Sequence, residues 1–381
     1  MDDMLDKYRG SLVGGAVGDA LGYAVEFCSE RQIFSEYGEN GITEYALKNG
    51  KALISDDTQM TMFTATALLD GITRGKFRGI MGDFSTYMAF EYQGWYLTQT
   101  ANYPVDIEEN YAKYSWVMNL PEMFNHRAPG NTCLSALAAG GKGTIEKPIN
   151  NSKGCGGIMR VAPIGLYFSE GKMDIASIDK IGAECAAITH GHELGYIPAA
   201  ALVHMVSLLF HNNDITLLEA VTSSVRTMQQ IFNRAKYIDD FVELIELAVK
   251  LSQSGGSDLD NIHKLGEGWV AEETLAIAVY CSLRYQDDFD KAVCTAVNHN
   301  GDSDSTGAVC GNILGAYLGY NAIPQKFKTN LEFHDVLLTL ANDLYNDCQM
   351  SEYSDNYDRV WLDKYVHKTY GTVSYTHLTL P

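Results

Sequence analysis

Gly10, Gly14, Gly18 and Gly22 recur at every fourth residue, so on a helix they line one slowly drifting stripe. A helical glycine costs about 1 kcal/mol relative to alanine. Four at this spacing predict a helix whose backbone lies directly against a neighbouring one. Membrane helices dimerise through the same spacing, but Arg9, Asp19 and Glu26 within or beside the segment argue against that setting. The rest of the chain also reads as helical. It has 8 prolines in 381 residues, and an interior proline costs a helix about 3 kcal/mol. Phe241, Leu244, Ile245 and Ala248 follow the i, i+3, i+4, i+7 spacing, as do Phe333, Val336, Leu337, Leu340 and Leu344. Leu275, Ala278, Val279 and Ser282 repeat it more weakly. Period-2 alternation is nearly absent, its best instance running from Ile42 to Ala46. The expected fold is all-α, in one multi-helix domain over residues 1–373.

No low-complexity linker divides the chain. Gln99 to Pro129 reads as an aromatic-rich loop excursion, and Ser252 to Gly268 as a polar, glycine-rich connection. Ser374 to Pro381 (SYTHLTLP) breaks with the acidic helical pattern before it and is set aside as a possible non-native tail. Basic residues number 28 and acidic ones 48, a net charge of −20. That excludes the basic footprint of strong nucleic-acid binding and docking on anionic lipid. The start, MDDMLDKYRG, lacks the apolar run of a secretory signal. The most apolar stretch, Ala199 to Phe210, contains His204 and Ser207 and reads as too short to span a membrane. Eight scattered cysteines without a C-x-x-C pair read as buried thiols, with a cytoplasmic location and a monomer expected.

Two acidic clusters carry the chemistry. Ser55-Asp56-Asp57-Thr58 precedes the apolar helical run Met60 to Leu69. Gly301-Asp302-Ser303-Asp304-Ser305-Thr306 precedes a second such stretch, Ala308 to Tyr317. Such residues cap helices, but a cap needs one acceptor, and each cluster offers two carboxylates with hydroxyls beside them. They are also hard oxygen donors of the kind that hold Mg²⁺, Ca²⁺ or Mn²⁺. Were the clusters to meet, with Glu26 as a fifth carboxylate, each like-charge pair at about 4 Å would cost roughly 4 kcal/mol at a dielectric near 20. Two divalent cations would nearly cancel that charge. Gly154-Cys155-Gly156-Gly157-Ile158-Met159-Arg160 is a glycine-rich turn able to present N–H groups to phosphate, though it has neither P-loop nor dinucleotide-fold spacing. In Thr189-His190-Gly191-His192, two histidines two apart on a helix would point about 200° apart. That favours hydrogen bonding or exposure over zinc.

Taken together and in order, GSLVGGAVGDALGYAVEF, SDDTQMT, RAPGNTCLSAL, GCGGIMR, ITHGHELGY and NHNGDSDSTGAVCGNILGAYLG resemble the ADP-ribosylglycohydrolase family from about Tyr8 to Pro324. The resemblance implies an orthogonal all-α fold with two Mg²⁺ or Mn²⁺ ions. It implies Ser55, Asp56 and Asp57 as ligands from one side and Asp302, Asp304 and Ser305 from the other. It places Glu26 and Asp304 as catalytic candidates. It also implies that Gly154, Cys155, Gly156, Gly157 and Met159 hold a diphosphate, with His190 near the bound ADP-ribose. Ser303 and Ser305 stand where threonine is common, Asn300 where glycine is frequent, and Cys155 where some relatives carry asparagine. The implied activity is metal-dependent cleavage of the bond between ADP-ribose and a modified acceptor, foremost arginine. The substrate would then be an ADP-ribosylated protein or another ADP-ribose compound. The alternative is a non-catalytic ADP-ribose-binding, crystallin-like or toxin-masking protein.

Overall fold

The glycine stripe meets a second one near the other end of the chain. In the computed structural model, which describes residues 3–105, 114–168, 173–212 and 214–371, the first stripe lies on helix α1 (Asp3–Tyr23). A Cβ added at Gly10 would fall 2.3 Å from the Gly315 carbonyl oxygen, and one at Gly14 2.5 Å from that of Gly311. At Gly18 the distance is 1.9 Å to Gly307, and at Gly22 it is 2.2 Å to Ser303. The contact is reciprocal. A Cβ on Gly307, Gly311 or Gly315 would strike the carbonyl of Gly18, Gly14 or Gly10 at 2.4, 2.0 and 2.0 Å. Low numbers on one helix face high numbers on the other, so the two run antiparallel.

The remaining helices are α2 (Glu30–Tyr37), α3 (Asp56–Arg78), α4 (Phe84–Thr100), α5 (Asn131–Ala138), α6 (Ala162–Tyr167), α7 (Ile175–Ala187), α8 (Glu193–His211) and α9 (Leu217–Ile231). They continue with α10 (Ile238–Ser252), α11 (Asp258–Leu265), α12 (Ala271–Arg284), α13 (Phe289–Val297), α14 (Ser303–Leu318), α15 (Gln325–Lys328), α16 (His334–Asn346) and α17 (Arg359–Tyr365). Only isolated β-bridges occur among the described residues, so the fold is all-α. The α1–α14 pair is packed by α8, α12, α13 and α16.

Several local expectations need correction. Ile42 to Ala46 forms no strand, because Asn298 takes both main-chain groups of Ile42, accepting its N–H at 2.8 Å and donating to its carbonyl at 2.9 Å. Phe333 lies outside α16, in the left-handed region at φ 58°. The polar connection 252–268 contains α11. The apolar stretch around Ala199 is part of a 19-residue helix, long and apolar enough to cross a membrane by those measures. It is a core helix all the same, since 89% of its most apolar window is buried in the molecule. The supposed tail at 374–381 lies outside the described residues. Within the excursion 99–129, the described part holds two 3-10 turns, Trp116–Asn119 and Pro121–Phe124.

The C-terminal segment straps onto α3. Trp361 Nε1 donates to Thr73 Oγ1 at 2.9 Å, and Lys368 pairs with Asp70. Glu91 of α4 is buried there beside Asp70. Burial first, and then the Asp70 carboxylate beside it, hold its carboxyl well above the ordinary 4.5. A shared proton between the two carboxyls satisfies this arrangement.

Two outcomes follow. Gly18→Ala drives a methyl into the Gly307 carbonyl and lowers stability by about 3 kcal/mol or more, whereas Gly255→Ala, with open space around it, changes it by less than about 0.5 kcal/mol; urea denaturation reads both. A carboxyl with a raised folded pKa supplies stability at low pH and loses it as pH rises through the folded value. Glu91→Gln therefore melts higher than the parent at pH 9, with the difference shrinking towards pH 5.

Candidate active site

The antiparallel register decides where the motifs land. With Gly22 against Ser303, the C-terminal end of α1 sits on the N-terminal end of α14. The chain then turns, Val25 N–H bonding Gly22 O and Cys28 N–H bonding Val25 O, each at 2.8 Å. That turn carries Glu26. One turn back on α1, Asp19 reaches α3. It accepts the Ser55 N–H at 2.9 and 3.1 Å, the Thr58 N–H at 3.1 Å, and the Thr58 hydroxyl. The starts of α3 and α14 are thus both set by α1.

Capping explains part of each cluster. Ser55 Oγ accepts the Asp57 N–H at 3.1 Å, and Asp302 Oδ1 accepts the Ser305 N–H at 3.2 Å. Asp56, Asp57 and Asp304 remain beyond that need. Asp56 Oδ2 accepts the Gly130 N–H at 3.2 Å, and its own N–H bonds the Arg127 carbonyl at 3.0 Å. Asp304 shares the Ser305 N–H at 3.0 Å. The two clusters come together, Asp302 standing close enough to Asp57 for its charge to add to those of Asp19 and Asp56 in raising the Asp57 carboxyl.

All five carboxyls, Glu26, Asp56, Asp57, Asp302 and Asp304, are at most 7% exposed. Burial, followed by Asp302 and Asp56, pushes Glu26 up to about 9. Asp56 rises to about 8, from burial and the charges of Asp19 and Asp302. Burial and neighbouring carboxylates hold Asp57 and Asp304 well above the ordinary range, Asp304 feeling Asp302, Asp57 and Glu26. Asp19 rises to about 6 through burial, opposed by its four hydrogen bonds. Among the described residues, no three His, Cys, Asp or Glu side chains are already set in metal-ligand geometry; several of these carboxyls are held instead by hydrogen bonds from the protein. The donor set nevertheless fits divalent cations. Asp57 Oδ2 and Glu26 Oε2 are buried without a hydrogen-bond partner, and hard oxygens under mutual repulsion suit Mg²⁺ or Mn²⁺.

The glycine turn forms one wall. Cys155 to Gly157 make a 3-10 turn, and a bridge joins Gly154 to Val270. The Cys155 N–H bonds the Trp269 carbonyl at 3.2 Å, which leaves the N–H groups of Gly156 and Gly157 at the head of the turn without intrahelical acceptors. The Cys155 thiol, kept protonated by burial and by Asp302, donates to Asp302 Oδ2 at 2.7 Å. The turn and the carboxylates are therefore one site. Met159 is buried, its N–H bonded to Cys155 O and its carbonyl to Thr61 Oγ1, both at 3.2 Å. His190 packs on the turn, and a side chain at Gly156 would fall 2.9 Å from its ring. It lies between α7 and α8, and His192 is the N-cap of α8, so the two histidines do not share a helix as the spacing argument assumed. Fully buried Arg160 stands 4.3 Å from the centre of the Tyr92 ring and donates to the Cys185 carbonyl at 3.0 Å and the Thr189 hydroxyl at 2.7 Å. That hydroxyl is then free to donate to His190 Nδ1 at 2.8 Å, which assigns the ring proton to Nε2. Burial and Arg160 push His190 down to about 3, so the ring is neutral.

Sequence reasoning passed over Asp19, Gly130 and Arg160 as site-building residues. Asp19 carried a signal, an acid amid the apolar and glycine residues of one helix. Gly130 lies in the RAPGNT motif, but its bond to Asp56 depends on a loop path that spacing does not reveal.

The family model described as ADP-ribosylglycohydrolase matches residues 1–354. The chain belongs to the ADP-ribosylglycohydrolase family. As a member it is an enzyme of the ADP-ribosylhydrolase type. It is 26% identical to an uncharacterised protein of Archaeoglobus fulgidus over 90% of this chain and 97% of that one. It is 27% identical to ADP-ribosylhydrolase ARH3 of Homo sapiens, over 52% of this chain and 60% of the human protein. A solved ADP-ribosylglycohydrolase-related protein complex matches with a TM-score of 0.57 and 21% identity, over 91% of this chain and 99% of the other, which shows a shared fold.

The repulsion among these carboxyls sets an expectation. Mg²⁺ or Mn²⁺ at a hundredfold excess over its Kd stabilises the parent by about 2.7 kcal/mol. Asp57→Asn loses most of that gain yet melts no lower than the parent in chelator at pH 8. Differential scanning fluorimetry with and without EDTA measures both.

Proposed function

We propose that this family member is a divalent-metal-dependent hydrolase that cleaves the glycosidic bond between ADP-ribose and a modified arginine side chain. The observation that carries the reading is the meeting of the SDDT and DSDS segments with Glu26 where α1 ends against α14. Ser55, Asp56 and Asp57 from one side, and Asp302, Asp304 and Ser305 from the other, would hold two Mg²⁺ or Mn²⁺ ions. When bound, such a pair supplies charge to grip ribose hydroxyls and lower the pKa of a water.

The chain's own residues supply the rest. The Gly156 and Gly157 N–H groups face a diphosphate, as a glycine turn can. Neutral His190 adds an Nε2–H donor beside that turn, held by the Arg160–Thr189 relay. The Cys155 thiol fixes Asp302. Departure of the acceptor builds positive charge on the sugar, which nearby carboxylates stabilise. Glu26 and Asp304 are the carboxyls that would move protons, one giving a proton to the departing guanidine nitrogen and the other taking one from water.

Incubation with ADP-ribosylated arginine protein and Mg²⁺ or Mn²⁺, followed by chromatography of the products, should show free ADP-ribose, with EDTA abolishing its release. Glu26→Gln and Asp304→Asn should each lower kcat by roughly 10²–10⁴-fold with the helical circular-dichroism signal retained. No ADP-ribose from any acceptor class with metal present would overturn the reading, and AMP as the product would mean phosphoester chemistry instead.

A further inference from the structure

Most large aromatic side chains in this protein lie in the core, but two beside the carboxylate nest do not. Phe27 is 74% exposed and Trp269 41% exposed. Their rings stack on one another, with centroids 6.3 Å apart and planes inclined by 25°. The positions come from elements that already build the site. Phe27 follows Glu26 directly in the turn after α1, and Trp269 lends its carbonyl to the Cys155 N–H of the glycine turn. The pair therefore bridges a carboxyl assigned to proton transfer and the wall assigned to the diphosphate. An exposed stack of this kind is apolar surface that folding has left in water, at the place where the acceptor leaves.

The spacing says what such a pair accommodates. A flat group between two rings needs about 3.5 Å on each side, roughly 7 Å in all, so a small outward swing of the exposed Phe27 opens the slot. A guanidinium is flat, stacks on aromatic faces and carries a charge that ring faces attract. The surroundings favour a cation over a neutral base. Glu267, two residues before Trp269, is exposed. Glu30, three residues after Phe27, pairs with His263 at 2.8 Å. The nearby Lys153 ammonium is taken up by Glu272.

We propose that Phe27 and Trp269 form an acceptor clamp that takes the guanidinium of an ADP-ribosylated arginine between their faces and so sets the enzyme's preference for arginine adducts. The clamp rests on the hydrolase reading above and deepens it, since a serine adduct has no flat cation to hold.

The test uses Phe27→Ala and Trp269→Ala in the full chain, with an ADP-ribosyl-arginine peptide, an ADP-ribosyl-serine peptide and free ADP-ribose as probes. Each alanine variant should lower the arginine-over-serine ratio of kcat/KM by roughly tenfold to thirtyfold. The loss should appear in KM for the arginine peptide and not in kcat. Trp269→Phe, which keeps an aromatic face, should recover most of the preference. Calorimetry should show ADP-ribose binding to the variants within twofold of the parent. An unchanged ratio overturns the clamp, and so does an equal loss on both peptides. Weakened binding of ADP-ribose itself overturns it too, because the rings would then serve the nucleotide. If the parent cleaves neither peptide with metal present, the hydrolase reading falls and the clamp with it; a parent that cleaves the arginine peptide while the variants behave alike removes the clamp alone.

Discussion

The backbone contact between α1 and α14 is the constraint on which the rest of the molecule depends. Two helices approach so closely that three glycines on each face one another, and an added methyl at Gly18 would sit 1.9 Å from a carbonyl oxygen. Such proximity allows a single register. Sliding by one residue would put side chains such as Val17 or Cys310 where only hydrogen fits. The register in turn brings the end of α1 to the start of α14, and Asp19 on the same helix ties down the start of α3. A packing feature thereby becomes a positioning device for two acidic helix starts and for Glu26.

What it positions is unfavourable by itself. Carboxyls gathered out of water raise one another's pKa, and the cost is borne by a core that buries α8 and α12 almost completely. Proteins keep such arrangements where charge is to be met by a ligand. The hydrogen bonds around the nest are disposed accordingly. Main-chain N–H groups and the Cys155 thiol hold particular oxygens in place, while one oxygen each of Asp57 and Glu26 is left without a partner. The glycine turn joins the nest through Cys155, whose thiol donates to Asp302.

Much of this was legible in advance, and the reasons differ from element to element. Helices α10, α12 and α16 were readable because one-sided burial writes a 3.6-residue period into the apolar positions. The acidic motifs were readable because metal chemistry needs oxygen donors that capping alone does not require. Phe333 misled because a residue that packs on a helix from just outside it, in a left-handed conformation, has the same apolar character as one within. His190 and His192 misled because a helix was assumed where the chain makes a connection. Asp19 was read only as a sign against a membrane, since nothing in its neighbours reveals that it caps a helix beginning over thirty residues later.

By itself, the sequence determined the helical class, the close approach of a glycine-striped helix, and the residue types available for a hard-cation site. These are local properties, written in periodicity and in side-chain chemistry. Which stripe meets which, that the two acidic segments face one another, and that the Gly130 N–H and the Cys155 thiol each hold one of the carboxylates were decided only by the tertiary structure. The physical reason is that burial and charge act through space. A carboxyl becomes unusual through what stands within a few ångströms of it, and in this molecule those neighbours come from both ends of the chain.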